Sequence, residues 1–285
     1  MVMKARDVMS SPVYFVSPDE TVAHARHVMV KHRLSRVLVM KDGSLRGIVT
    51  KKDIALRVRG QEPAWKRRPI DRIPVETLAS GNPVAEDPDT EIKKIARIFT
   101  EKNIGSVPVV ENGSVVGIVT KTDLMKSAFA KKLKKPVSDV MEPAIVLSRY
   151  HSLDHVLDTI SEKNDKLVIV NNDGTIAGVI TETNLAFFEP FSKRPGSEKK
   201  AATFLRKEEA AGIKLNRYVF TASVIAEDAM SHPAITIDPL ANLTEAVAKM
   251  REYHVNSLVV VENDNSSGNI VGIIKRDNII QEVAK

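Results

Sequence analysis

The chain contains no cysteine in 285 residues, which excludes a disulfide framework, a thiolate zinc site and redox chemistry at sulfur. Aromatic residues are scarce, with one Trp and four Tyr, too few to stack a run of nucleic-acid bases. No apolar run approaches the ~18 residues that span a bilayer, and residues 1–10 lack the apolar stretch of a signal peptide. A cytoplasmic protein with no membrane partner is therefore expected. A Gly-x-x-x-x-Gly-Lys-Ser/Thr loop and a Gly-x-Ser-x-Gly elbow are both missing, and no triad or carboxylate pair stands out. Classical nucleotide hydrolysis is unsupported, and the chain is not expected to be an enzyme or to require a cofactor.

What is present is ordinary for a folded domain: 43% hydrophobic and 27% charged residues. The net charge of +6 is concentrated in Lys66-Arg67-Arg68, in Lys131-Lys132 with Lys134-Lys135, and in Lys199-Lys200. These clusters either form solvated linker surface or attract nucleic acid or anionic small molecules. His24, His27 and His32 fall close together. His151 and His155 are spaced i, i+4, but with no third ligand in view they read as solvated rather than metal-binding.

The chain repeats itself four times. Asp42-Gly43 leads to Gly47-Ile48-Val49-Thr50, Asn112-Gly113 to Gly117-Ile118-Val119-Thr120, Asp173-Gly174 to Gly178-Val179-Ile180-Thr181, and Gly268 to Gly272-Ile273-Ile274-Lys275. A β-branched run precedes each turn, as in Val37-Leu38-Val39 and Val107-Pro108-Val109-Val110. Asp-Gly or Asn-Gly between such runs predicts a β-hairpin, because the tight turn needs positive φ. Upstream, apolar residues three or four apart, such as Ile92, Ile95, Ile98 and Phe99, predict a helix. Before that helix comes a short strand flanked by prolines, and after the hairpin a second helix starts at Thr50, Thr120, Thr181 or Lys275. The unit is strand, helix, strand, strand, helix.

Units of about 55 to 60 residues are marginal alone, so pairing is expected. The glycines Gly47, Gly117, Gly178 and Gly272 are 70, 61 and 94 residues apart. The surplus in the last interval is an insertion, whose composition predicts a helix from about Glu198 to Ala211 closed by Gly212.

These residues resemble CBS domains, and the pattern recurs at four positions. The resemblance implies an α/β fold of four CBS repeats paired into two Bateman modules, similar in layout to the gamma subunit of AMP-activated protein kinase. The repeats are placed at 1–64, 74–131, 136–189 and 224–285, with the insertion at 190–223. It further implies a regulatory protein that senses energy state by binding AMP, ADP or ATP between paired repeats. S-adenosylmethionine or a related adenosyl ligand is the alternative, and nucleic-acid binding through the basic linkers is a second. An effector protein and homodimerisation are expected partners.

The step Thr50-Lys51-Lys52-Asp53, echoed by Thr120-Lys121-Thr122-Asp123, is open to two readings. A threonine N-cap with an acidic residue three positions on is close to a capping box, worth about 1 kcal/mol of helix stability. The same helix start can attract a phosphate, with the aspartate accepting hydrogen bonds from a ribose diol. Repeat three keeps Thr181 with Asn184, and repeat four has Lys275 with Asn278. The first pair of repeats is thus the better nucleotide site. By resemblance, the base lies against Leu34-Ser35-Arg36 and Ile104-Gly105-Ser106, with Pro108 and Thr122 nearby. Asp165-Lys166-Leu167 departs from that pattern, whereas Val255-Asn256-Ser257 fits it. Lys52 and Arg36, then Arg33, Lys121 and His254, are candidate phosphate partners.

Overall fold

A computed structural model describes residues 2–54, 70–127, 133–163, 166–186, 202–208, 214–220, 224–262 and 268–285. Lys66-Arg67-Arg68, Lys131-Lys132, Asp165 and Lys199-Lys200 lie outside the described residues.

The first repeat runs β1 (Phe15–Val16), α1 (Val22–Lys31), β2 (Arg36–Lys41) and β3 (Ser44–Thr50), followed by α2, described over 51–54. β1 pairs parallel with β2, which pairs antiparallel with β3, and a short β4 (Ser80–Gly81) completes the sheet. The second repeat has α3 (Ile92–Glu101), β5 (Ser106–Glu111), β6 (Ser114–Thr120) and α4 (Lys121–Lys126). Its first strand is reduced to one parallel bridge, Glu86 to Val109. The third repeat has β7 (Ile145–Ser148), α5 (Leu153–Lys163), β8 (Leu167–Val170), β9 (Ile176–Ile180) and α6 (Glu182–Ala186).

The insertion overturns one expectation. Instead of a helix from Glu198 to Ala211, it forms an antiparallel pair of strands, β10 (Ala202–Glu208) and β11 (Lys214–Phe220), in full register from Ala202–Phe220 to Glu208–Lys214. Tyr218, Val219 and Phe220 make β11 a strand former, and Thr203 and Phe204 suit its partner, so pairing overrides the helical composition of the flanking Ala-, Lys- and Glu-rich sequence. The remainder of the expected helix lies outside the described residues. The fourth repeat then follows: α7 (Ala226–Ala229), β12 (Thr236–Ile237), α8 (Leu243–Glu252), β13 (Ser257–Val261), β14 (Ile270–Lys275) and α9 (Arg276–Ala284).

The hairpin turns behave as their sequences demand. Asp42 and Gly43 have φ of 51° and 73°, and Asn112 and Gly113 have 50° and 82°. Each of the four repeat hairpins carries a bulge at the same place, one step before the repeat glycine on the second strand.

The repeat glycines serve a different purpose. The segment that leads into each repeat does not pack on that repeat; it crosses to the module partner. Ser10 bridges to Ile118 in repeat two, while Ser80 pairs with Ile48 in repeat one. Glu142 likewise bridges to Ile273 in repeat four, and Ser231 to Val179 in repeat three. A Cβ on Gly178 would stand 2.5 Å from Ser231 O, one on Gly272 2.7 Å from Glu142 O, and one on Gly47 2.9 Å from Ser80 O. Glycine is required there because the crossing backbone comes too close for a side chain.

The crossing segments also bury an apolar residue each: Ala5, Val75, Val137 and Ala226 are fully enclosed. Repeat one has its own core around Val22, Met29, Val37 and Val49, sealed by Ile73 and Val75. Repeat three has another around Val156, Leu167, Ile169 and Ile180. Repeats two and four share a single core, in which Ile92, Ile95 and Phe99 of α3 pack with Ile279, Ile280 and Val283 of α9. That shared core joins the two modules. A smaller cluster of Val168, Val259, Val261 and Ile273 joins the sheets of repeats three and four.

Candidate functional site

Hairpin geometry sets the site. The residue entering the second strand of each repeat lies opposite the first residue of the Thr-x-x-Asp step: Arg36 pairs with Thr50, Ser106 with Thr120, and Ser257 with Lys275. In repeat three Leu167 pairs with Ile180, which places Lys166 next to Thr181. The entering segment also closes the helix start: Lys51 N–H donates to Ser35 O at 3.0 Å, Lys121 N–H to Gly105 O at 3.2 Å, and Arg276 N–H to Asn256 O at 3.2 Å.

The helix starts are capped as the sequence allows. Asp53 Oδ2 accepts from Thr50 N–H (2.7 Å) and from its hydroxyl (2.6 Å), and Asp123 Oδ2 does the same for Thr120 at 2.8 and 2.6 Å. Asn184 Oδ1 substitutes in repeat three, at 3.0 and 2.8 Å from Thr181. In repeat four Asn278 Oδ1 accepts from Lys275 N–H at 2.8 Å, and the lysine side chain takes no part in the cap. Most amides of these first turns are satisfied internally, so a phosphate would rely on side-chain cations more than on the helix ends. The second carboxylate oxygen of Asp123 accepts only a 3.2 Å bond from Ser10 among the described residues.

Arg36 reaches across module one. A Cβ on Gly105 would meet Arg36 Nη2 at 2.9 Å and Nη1 at 3.0 Å, so the absent side chain makes room for the guanidinium. This sets Arg36, beside Ser35, against Gly105, which lies between Ile104 and Ser106. Among the described residues, the one hydrogen bond of Arg36 runs from Nε to Ser35 Oγ at 3.3 Å. Burial and the neighbouring Arg276 push Arg36 down to about 10, against the pull of Asp53, Asp123 and Glu182. Arg276 is itself lowered by burial, while Asp277, Glu182 and Asp123 act the other way. Burial also lowers Lys166 and Lys51. For Asp277, burial would raise the carboxyl, but Lys121, with Lys166 and Arg276, holds it below its ordinary value.

These couplings show that the helix starts of all four repeats converge on one charged centre. Glu182, Arg276 and Asp277 were not singled out from sequence, and Lys166 was noted only as a departure from the base-binding pattern. Aligning the hairpins on their repeat glycines places Leu167, not Lys166, at the position of Arg36, because the third turn is one residue longer; only the strand pairing sets Lys166 opposite Thr181. The convergence itself depends on how the modules pack.

Other expected residues fall elsewhere. Pro108 is buried inside β5, paired with Ile118, and its carbonyl accepts from Glu86 N–H at 3.0 Å. Lys52 is half-buried on the first turn of α2. Arg33 and His254 are exposed residues with φ of 54° just beyond the ends of α1 and α8. Thr122 accepts a hydrogen bond from Arg276, Lys121 pairs with Asp277, and Lys275 pairs with Glu142. Lys135 is held by Glu282 at 2.7 Å. The His151 and His155 rings lie 4.8 Å apart, and His151 Nδ1 accepts from Ser148 N–H at 3.0 Å. Among the described residues no group of three or more His, Cys, Asp or Glu could hold a metal ion, and no helix is long and apolar enough to cross a membrane.

Comparison with known proteins adds the following. The CBS domain family model matches residues 5–60, 70–129, 137–189 and 226–285. The CBS domain-containing protein YhcV of Bacillus subtilis is 30% identical over 119 residues, covering 42% of this chain and 81% of YhcV. Protein MJ1404 of Methanocaldococcus jannaschii is 24% identical over 289 residues, covering 98% of this chain, which in turn spans 61% of MJ1404. The crystal structure of protein MJ1225 from the same archaeon, described as a proposed archaeal homologue of γ-AMPK, superposes with a TM-score of 0.77. It is 19% identical, and the match covers 98% of this chain and 99% of MJ1225. At that identity the likeness establishes the fold.

Proposed function

The chain belongs to the CBS-domain family, and from that premise we propose that it is a regulatory protein that binds AMP, ADP or ATP in the cleft of its first module. The observation that carries this reading is Arg36. A guanidinium has five N–H donors, and this one, half-buried near a second guanidinium, makes a single hydrogen bond among the described residues. An anion placed on Arg36 would take up its open donors.

Asp53 and Asp123 stand close enough to Arg36 to be felt by its charge, and each offers a carboxylate to a ribose diol. Ile104 and the backbone of Ser35 and Gly105 would hold the base. The charged centre also discriminates between adenosyl ligands. S-adenosylmethionine carries a sulfonium cation, which Arg36 would repel, whereas it would attract a nucleotide phosphate. Ligand binding would alter the packing of the two modules, and an effector protein would read the change.

Titration calorimetry with AMP, ADP, ATP and S-adenosylmethionine, paired with mass spectrometry of small molecules released from the purified protein, tests the proposal. Binding of at least one nucleotide below millimolar concentration, and tighter than S-adenosylmethionine, is expected. No nucleotide binding together with no co-purified nucleotide would remove it.

A further inference from the structure

The crossing segments place a residue at equivalent positions against the partner repeat. Ser10 donates to Asp123 Oδ1 in repeat two, and Ser231 accepts from Asn184 Nδ2 at 2.8 Å in repeat three. Ser80 holds the same position in repeat one. In repeat four the position belongs to Glu142. Its Oε1 accepts from Asn278 Nδ2 at 2.6 Å, and its Oε2 pairs with Lys275. Serine is thus replaced by glutamate only where threonine is replaced by lysine, so the charges compensate within the site.

The two middle residues of the same turn are bonded toward module one. Arg276 donates to Thr122 Oγ1, and Asp277 pairs with Lys121. Lys121 is well enclosed, its side chain 13% exposed. Thr122 and Lys121 lie between Thr120 and Asp123, inside the capped turn that forms one wall of the proposed nucleotide cleft. All four residues from Lys275 to Asn278 are therefore engaged by other parts of the chain.

We propose that the fourth repeat has exchanged ligand recognition for coupling: the turn 275–278 takes no nucleotide and ties the start of α9 to the Asp123 turn. The physical requirement for coupling is an element that both sites bias. A ligand that reorients Asp123 must carry Lys121 and Thr122 with it, and hence strain or release two bonds to α9. Module two then registers occupancy of module one without binding anything at its own fourth turn.

Hydrogen exchange on the intact chain tests the joint without any ligand. The double variant Arg276→Met with Asp277→Asn removes both cross-module bonds and spares the Lys275–Glu142 pair. Amide exchange over 276–284 should rise about tenfold while β5 and β6 hold their rates; unchanged exchange at 276–284 overturns the proposal.

The remaining arms rest on the nucleotide reading and use AMP. In the unmodified chain, protection of 120–126 should be accompanied by slower exchange at 276–284, and the double variant should keep the first and lose the second. Protection of 276–284 that persists in the double variant, or that is missing from the unmodified chain while 120–126 is protected, counts against the joint. Lys275→Met should leave the number of AMP molecules bound per chain unchanged; loss of one would show that the fourth turn takes ligand. If AMP protects 120–126 in neither chain, the nucleotide reading fails, and the ligand-free exchange alone decides the joint.

Discussion

Asp123 does two things at once, and the four copies show how to separate them. Asn184 reproduces the cap of Asp123 with its amide oxygen, at 3.0 and 2.8 Å from Thr181, and donates its nitrogen to Ser231. Asp123→Asn should therefore keep the cap and the contact to Ser10, changing stability by no more than about 0.5 kcal/mol. It should weaken nucleotide binding by about tenfold or more, since the charged acceptor for the ribose is gone. Asp123→Ala should lose both, at about 1 kcal/mol for the cap. Thermal unfolding beside calorimetry distinguishes the outcomes, and an Asn variant that binds AMP normally would assign Asp123 to capping alone. Arg36 predicts the reverse trade. Its half-buried place beside the like charge of Arg276 costs stability that a flexible apolar side chain would recover, so Arg36→Met should raise stability by up to about 1 kcal/mol. The same substitution should lower nucleotide affinity by about tenfold. A variant that unfolds more easily would show that the guanidinium is structural.

At the scale of the element, what was legible follows from how local each signal is. The hairpins could be read because Asp42-Gly43 and Asn112-Gly113 encode their turns within two residues. The capped helix starts could be read because Thr120 and Asp123 are three residues apart. The crossing segments could not, since Ser10 finds Ile118 and Glu142 finds Ile273 more than a hundred residues away. A weak trace existed: Asp7-Val8-Met9, Asp139-Val140-Met141 and Asp228-Ala229-Met230 recur before repeats one, three and four. The insertion failed for the opposite reason: the Ala-, Lys- and Glu-rich composition of 198–211 is a local helical signal, but 202–208 takes its structure from pairing with β11. The crossing also predicts an order of sensitivity among glycines. Gly178→Ala sets a Cβ against a backbone carbonyl and should destabilise by about 1–3 kcal/mol. Gly117→Ala meets the side chain of Met9, which can move, so its cost should be the smaller. Chemical denaturation midpoints of the two variants check the order.

For the whole molecule, the shared core of repeats two and four decides what can stand alone. Ile92, Ile95 and Phe99 are each at most 1% exposed, and each is worth about 1.5–3 kcal/mol when fully buried. In a fragment of residues 1–131 the part of α3 that packs on α9 would face water. That fragment should self-associate or unfold more readily than the intact chain, as light scattering and thermal unfolding would show. A monomeric fragment as stable as the whole would mean that the modules are independent. Convergence of four helix starts on one charged centre was not legible from any single repeat, because it exists only when both modules are present. The family resemblance supplied the pairing, and the charges of Lys166, Arg276 and Asp277 at the centre became visible only once the repeats were placed together.

The crossing of the lead-in segments bears on how the chain is made. On the ribosome, repeat one emerges complete in sequence well before it can close, because the segment 70–81 that covers Gly47 has not yet been synthesised. Residues 4–10 emerge before the rest of repeat one, and their seat against Ile118 appears only when most of repeat two has followed. Folding of each half is therefore held back until its second repeat is out, so that both repeats of a module should become protease-resistant at a single nascent-chain length rather than one after the other.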